Sequence, residues 1–460
     1  MSITLNRLIR LVIVIALCKG LQAQNPPDLV LRMKDAVSLG EQRFHLIKSR
    51  KYEAEASEKK VDVTRYIKAP SIDATYQAGF SSANNITGQF YPYGIIPMTG
   101  PVFTDTRSTG ASGSAASILL NWELTGFGER NAQIDLSVAE ARSMKAAWQQ
   151  EIFNHKISII SNYLDLLLAY DILNIQKHNV DRASENLRES VELTKSGLKP
   201  GVDTALFRSE LSKANIEWLN ARKQLQTEQW LMAQLIVTDS LPVPSDTSFL
   251  QGLPLSRLAV DTHLSSHPFI QSTQRELDFN KSREDFLKKS ILPKLTVWGT
   301  GFARGSGFYP DGTIKTWDGM GLSRFNYGAG LQLSFSIMKL GEEKREMHEQ
   351  VLLSQAAEEK MLDVKNSLTT QQRIANTAFE NSMAIAEESL RQLESAEYAY
   401  YAIKIRYNTG LVNFADLLTA QYNLLRAETD LKKSRWDAWK ALLMQALAMG
   451  NENIFLNQIK

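Results

Sequence analysis

The sequence predicts an α+β membrane protein with a two-fold internal repeat, each unit a β-hairpin followed by long antiparallel coiled-coil helices. Three observations carry that prediction. Short motifs recur at a fixed offset of 213 residues. Four stretches alternate apolar and polar residues, and two segments, 129–196 and 342–409, contain neither glycine nor proline.

The chain has 460 residues, 43% hydrophobic and 22% charged, with 13 Pro, 25 Gly and one Cys. That composition excludes collagen-like, disordered and disulfide-stapled classes. With 52 Lys+Arg against 50 Asp+Glu the formal charge is +2, which gives no bulk attraction to nucleic acid. Arg7 and Arg10 precede an apolar run over 11–17, and Ala23 offers a small residue at a cleavage point, so residues 1–23 read as a secretory leader. Its removal takes Arg7, Arg10, Lys19 and Cys18 but no acid, and leaves a charge of −1 and no cysteine. A lipid anchor on Cys18 is disfavoured because Leu17 is bulky where such sites need a small residue. After the leader no run of about 18 apolar residues occurs, so a membrane-spanning form must be a closed β-barrel.

The repeat aligns Gly128-Glu129 with Gly341-Glu342 and Gly197-Leu198 with Gly410-Leu411. Asp203 with Asp416, Leu211 with Leu424, Ala214 with Ala427 and Trp122 with Phe335 keep the same offset. The chain therefore divides into the leader, a first repeat over 24–240, a linker or equatorial segment over 241–265, a second repeat over 266–450 and a tail over 451–460. In the first repeat a helix (28–66) leads to a hairpin at about 70–124 and long helices at about 129–238. In the second a helix (266–290) leads to a hairpin at about 293–338 and long helices at about 341–449.

The hairpins carry the membrane signal. Ile72, Ala74, Tyr76, Ala78 and Phe80 alternate with Ser71, Asp73, Thr75 and Gln77. Leu331, Leu333, Phe335 and Ile337 alternate with Gln332, Ser334 and Ser336, and Ile118, Leu120, Trp122 and Leu124 do so with one exception at Leu119. The third stretch is irregular, because Trp298 and Phe302 oppose Leu295 and Val297. Four strands are too few to close a barrel, which needs about eight, so several copies must pool their hairpins, apolar faces toward lipid and polar faces toward a lumen. Residues 83–110 and 303–324 are rich in turn chemistry and read as long hairpin tips. The sequon at Asn85 is coincidental in such a protein.

The two glycine-free segments would make helices of ~100 Å at ~1.5 Å per residue, several times a bilayer's thickness. Met361, Val364, Leu368, Ala375, Phe379, Ala386, Leu390 and Leu393 keep coiled-coil spacing, interrupted at Gln371-Gln372. Each helix reverses at a glycine, Gly197 or Gly410, and a return helix begins near Asp203 or Phe414. Capping alone could account for both Asp203 and Asp416, which fall in first turns. Leu198 and Leu411, apolar residues at a turn tip, suit the docking of a partner.

The leader, the two hairpins, the glycine-tipped helical pairs and the duplicated Gly-Leu-x-x-x-x-Asp together closely resemble the TolC family of outer-membrane efflux channels. The resemblance spans about residues 28–450. It implies a homotrimer whose chains give four strands each to a twelve-stranded outer-membrane barrel, continued through the periplasm by an α-helical barrel. It also implies a periplasmic adaptor and an inner-membrane pump or ABC exporter, with no cofactor, metal or catalytic residue. The turn tips Gly197, Leu198, Gly410 and Leu411 would meet the adaptor.

In the family's pattern a Tyr-x-x-Gly is followed by an Arg and an Asp-x-x-Asp pair that narrows the periplasmic entrance. Here Tyr407, Gly410 and Asp416 match, whereas Val412 and Thr419 replace the Arg and the second acid. Asp203 matches the acid that accepts from the tyrosine, so the expected gate is Asp203, Tyr407 and a ring of Asp416, with fewer polar contacts for want of the Arg.

No catalytic set competes with this reading. His263 and His267 are four apart without a following Glu, Gly299-Thr300-Gly301 lies within a strand, and Pro310-Asp311-Gly312 is a turn. His45, His155, His178 and His348 read as surface or packing residues. The competing class, a periplasmic coiled-coil adaptor or structural envelope protein, would need compact β domains flanking one helical hairpin.

Overall fold

The computed structural model describes residues 29–82, 84, 102, 104–197, 199–247, 249–255 and 264–459. The leader with Cys18, the sequon, Leu198 and His263 lie outside them. Among the described residues the order is β1 (Leu29–Leu31), α1 (Met33–Arg43), α2 (His45–Arg65), β2 (Ser71–Ser81), β3 (Ala111–Thr125), α3 (Glu129–Lys195), α4 (Gly201–Ile236) and β4 (Pro242–Pro244). It continues through α5 (Pro268–Ser290), β5 (Lys294–Ser306), β6 (Arg324–Ser334), α6 (Lys339–Asn408), α7 (Phe414–Met449) and α8 (Asn453–Leu456).

The 213-residue offset extends to the ends of the return helices. α4 and α7 are each 36 residues long, Gly201 corresponds to Phe414 and Ile236 to Met449. Both end in a left-handed residue, Val237 (φ 53°) and Gly450 (φ 67°). Glycine adopts that conformation without strain, whereas a β-branched valine does not. No described helix is long and apolar enough to cross a membrane.

The chain forms two compact units, divided within α2, α3, α5 and α6. One, residues 53–144 and 274–359, holds a four-stranded antiparallel sheet in the order β2-β3-β5-β6. Its register sorts the side chains by face. Ile72 pairs with Leu120, Tyr76 with Ala116, Trp122 with Val297, and Val297 with Leu331. The resulting face is apolar and open: Ile72, Ile118, Phe325, Tyr327 and Leu331 are all at least 58% exposed.

The irregular third strand is explained by its neighbours. Gly299, Gly301, Ala303 and Gly305 share the apolar face with Val297, while Trp298 and Phe302 lie on the polar face. Trp298 pairs with Gly330, where an added Cβ would come 2.9 Å from the indole. The ring thus covers strand glycines that have no side chain of their own. The fourth strand stops at Ser334, so Phe335 and Ile337 fall beyond it and not within it as the alternation suggests.

The other unit comprises residues 29–52, 145–273 and 360–459 of the described chain. Its core combines Ile159, Ile160, Tyr163, Leu164 and Leu167 of α3 with Trp439, Leu442, Leu443 and Ala446 of α7. The segment expected as a linker contains β4, which pairs in parallel with β1 (Leu29 to Pro242). The expected tail folds as α8 and buries Ile454, Phe455 and Ile459 in the same core.

The expected first helix is broken at Phe44, whose ψ of 123° leaves helical geometry. Its ring stacks on buried His155 at 3.8 Å. His155 Nε2 lies 3.0 Å from the Leu235 carbonyl in the last turn of α4. His267 Nε2 likewise lies 2.9 Å from the Leu447 carbonyl in the last turn of α7, while its Nδ1 accepts from Phe269 N–H at 3.1 Å. With Nδ1 occupied as an acceptor, Nε2 carries the proton. Burial pushes both histidines below 6.5.

Along α6 the buried positions keep a heptad seam through Ala357, Leu368, Ala375, Phe379, Ala386 and Tyr400. Leu390 stands off the seam at 40% exposure, and its neighbour Ser389 is buried instead. At the interruption read at Gln371-Gln372, Gln372 itself stays on the seam, half-buried four residues after Leu368 and three before Ala375.

Candidate gate at the two helix turns

Both turns begin with the same backbone device. Helix α3 ends at Lys195 and Gly197 follows with φ 73°; α6 ends at Asn408 and Gly410 follows with φ 80°. Neither glycine has any atom within 4 Å of an added Cβ, so the left-handed backbone and not crowding requires it. At the second turn Leu411 N–H closes on the Arg406 carbonyl at 2.8 Å and Gly410 N–H on Tyr407 at 3.0 Å. Leu411 is 69% exposed.

The aspartates then diverge. Asp416 is exposed and completes a capping box: Asn413 Oδ1 accepts from Asp416 N–H at 3.0 Å, and Asp416 Oδ2 accepts from Asn413 N–H at 3.2 Å. At the matching place in the first turn, the residue before α4 is Pro200, which provides no side-chain cap. Asp203 is therefore free of capping duty and accepts from the Tyr407 hydroxyl at 3.1 Å. Capping accounts for one acid only.

Tyr407 is 1% exposed. It packs edge-on to Phe207 at 5.9 Å, and Phe207 packs edge-on to Phe414 at 4.6 Å, above Tyr400, Leu417 and Leu424. Burial, reinforced by the Asp203 carboxylate, pushes its phenol up to about 12. The hydroxyl is thus a fixed donor near neutral pH. Sequence reasoning missed Lys199, whose ammonium lies 4.4 Å from the Tyr407 ring centroid and donates to the Val412 carbonyl at 3.4 Å. The contact deficit expected from Val412 is partly filled by the equivalent position of the other repeat.

Above the turns the helices meet through polar groups. Buried Asn186 donates to Gln421 at 2.8 Å, and Gln421 donates to Asn179 at 3.2 Å. Arg182 grips Glu428 with two bonds of 2.7 Å, Tyr422 donates to Glu210, and Lys213 donates to Tyr422 at 2.9 Å. Residues 179, 182, 186 and 190 recur at steps of three and four on α3, a signal of one helix face that the search for apolar seams overlooked. Among the described residues no group of three or more His, Cys, Asp or Glu could hold a metal ion.

Residues 37–236 match the family described as Outer membrane efflux protein. The cobalt-zinc-cadmium resistance protein CzcC of Cupriavidus metallidurans is 22% identical over 336 residues, covering 72% of this chain and 75% of that protein. In structure the chain resembles the Campylobacter jejuni CmeC outer membrane channel, with TM-score 0.74, 16% identity, and 91% and 85% of the two chains covered. It also resembles the Vibrio cholerae outer membrane protein VceC, with TM-score 0.73, 13% identity, and 91% and 96% covered. At these identities the structural likeness is one of fold, and it extends the sequence match in the first repeat to nearly the whole chain. The first repeat thus matches the outer-membrane efflux protein family in sequence, and nearly the whole chain shares the fold of outer-membrane channels.

Proposed function

We propose that the protein is the outer-membrane exit duct of a tripartite efflux or type I secretion system, a homotrimer that conducts substrate passively and is not an enzyme. The observation that carries this reading is the open apolar face of a four-stranded sheet whose outer strands, β2 and β6, each have one edge unpaired among the described residues. A sheet with two free edges and a bare apolar face needs both neighbours and a nonaqueous surrounding. Three copies joined β6 to β2 satisfy both at once, as a twelve-stranded barrel in outer-membrane lipid. The helices then extend into the periplasm as an α-helical barrel, toward an adaptor and an inner-membrane pump or ABC exporter that supplies the energy.

Within that reading the turns form the periplasmic gate. Asp203 and Tyr407 tie the first turn to the end of α6, and three exposed Asp416 side chains ring the entrance. Opening is an iris-like movement of the return helices against the long ones. The tips Gly197, Leu198, Gly410 and Leu411 receive the adaptor.

Outer-membrane fractionation followed by gel migration with and without boiling tests the duct. The expected result is a compact trimeric band that boiling converts to the 51.7 kDa chain less its leader. A soluble periplasmic monomer would contradict it.

A further inference from the structure

Tyr407 is held on two sides by one short segment of the other repeat. Asp203 takes its hydroxyl at 3.1 Å, and Lys199 lies against its ring at 4.4 Å. Between them stands Pro200, with φ −67° and ψ 145°, and Asp203 N–H closes onto the Pro200 carbonyl at 3.1 Å. The segment is therefore stiff, and the two side chains approach the tyrosine from a fixed base.

Lys199 also reaches further than Asp203 does. Its 3.4 Å bond goes to the carbonyl of Val412, two residues ahead of the start of α7 at Phe414. Tyr407 belongs to the long helix α6, whereas Val412 belongs to the lead-in of the return helix. One ammonium thus touches both sides of the second turn at once. A lysine confined to a half-buried turn gives up hydration for these contacts, and a cation over a partly desolvated ring is worth more than one on an open surface.

The second repeat reaches back at other points: Asn408, the last residue of α6, donates to Glu189 of α3 at 3.4 Å, and the Lys404 ammonium lies 3.3 Å from both Glu185 and Glu189. Val412, at the position equivalent to Lys199, packs against the cluster around Phe207 and Tyr407 and lends Lys199 its carbonyl, while Asn413 and Asp416 bond to each other. The Lys199 contact itself has no mirror image at Val412, which carries no charge.

We propose that Lys199 is a latch: its positive charge clamps the lead-in of α7 to Tyr407 and so sets how much of the time the entrance is shut. The proposal rests on the reading of these turns as a gate. It predicts that neutralising Lys199 loosens α7 without touching the Tyr407 hydroxyl bond.

The test is single-channel recording of the full-length protein in planar bilayers for Lys199→Cys, Lys199→Arg and Tyr407→Phe beside the parent. The one native cysteine, Cys18, falls in the segment read as a leader, so the introduced thiol is uniquely addressable in the processed chain. Lys199→Cys should raise open-state occupancy about fivefold, in line with the loss of one hydrogen bond and one cation–π contact. A cationic methanethiosulfonate should reverse the rise in the same channel, an anionic one should not, and Lys199→Arg should behave as the parent.

If Lys199→Cys matches the parent while Tyr407→Phe opens the channel, the latch is wrong and the gate stands. If neither variant changes occupancy, the gate reading falls with it. A rise that the cationic reagent leaves in place would overturn the role assigned to charge.

Discussion

The two helix turns share a backbone and differ in chemistry. Each has a left-handed glycine, Gly197 or Gly410, and each starts a 36-residue return helix. Yet the second turn bonds to itself through Asn413 and Asp416, while the first turns its polar groups outward onto Tyr407 and Val412. Duplication kept what the chain reversal needs, a positive φ and a helix start, and left the side chains free to specialise. One turn is a self-contained cap and the other is the hand that grips it.

The largest effect comes from exchanging the return-helix ends. Gly450 is left-handed, and an added Cβ would lie 2.7 Å from the His267 ring. Gly450→Val should destabilise the fold by about 3 kcal/mol, through left-handed strain plus overpacking, read as a fall in thermal unfolding temperature. Unchanged unfolding would show that the two ends are interchangeable. Next, Asp203→Ala leaves the buried Tyr407 hydroxyl without its acceptor and should cost about 1–3 kcal/mol in favour of the open arrangement, seen as a rise in conducting channels.

Asn413→Ala removes the cap of α7 and should cost about 1 kcal/mol in helix stability, measured by hydrogen exchange across 414–418. Pro200→Ala, which removes no side-chain cap, should show no comparable loss at the start of α4. Protonation of the two buried histidines comes next in size. Because burial lowers their folded-state values below 6.5, the unfolded chain binds more protons as pH falls through that value. Stability should hold above pH 6.5 and decline below it, and His267→Gln should flatten the decline in thermal melts. The smallest effect is at Val237: Val237→Asn, better suited to a left-handed residue, should stabilise by about 0.5 kcal/mol.

Much of the architecture was legible because it was written twice. The offset between Gly197 and Gly410 located both turns, and the alternation around Ile72 and Leu331 located the outer face of the sheet. What escaped depends on partners distant in sequence. Trp298 looked misplaced because the glycines that it covers, Gly328 and Gly330, lie on the next strand. Phe44 breaks its helix against His155, about a hundred residues away, and nothing local announces it. The parallel pairing of β1 with β4 joins residues 213 positions apart by hydrogen bonds that leave no motif. At the candidate gate Tyr407 and Asp203 match by pattern, whereas nothing local marks Lys199, whose partners Tyr407 and Val412 lie in the other repeat. Capping could account for both Asp203 and Asp416 by position alone; the bare Pro200 beside the capping box at Asn413 restricts it to Asp416.

Single-channel recording of Asp203→Asn beside Asp416→Asn separates the two acids. Asp203→Asn should raise open-state occupancy, whereas Asp416→Asn should leave opening unchanged and only weaken preference for cations at the entrance. Equal effects of the two substitutions on opening, or no effect of Asp203→Asn, would contradict that division of roles.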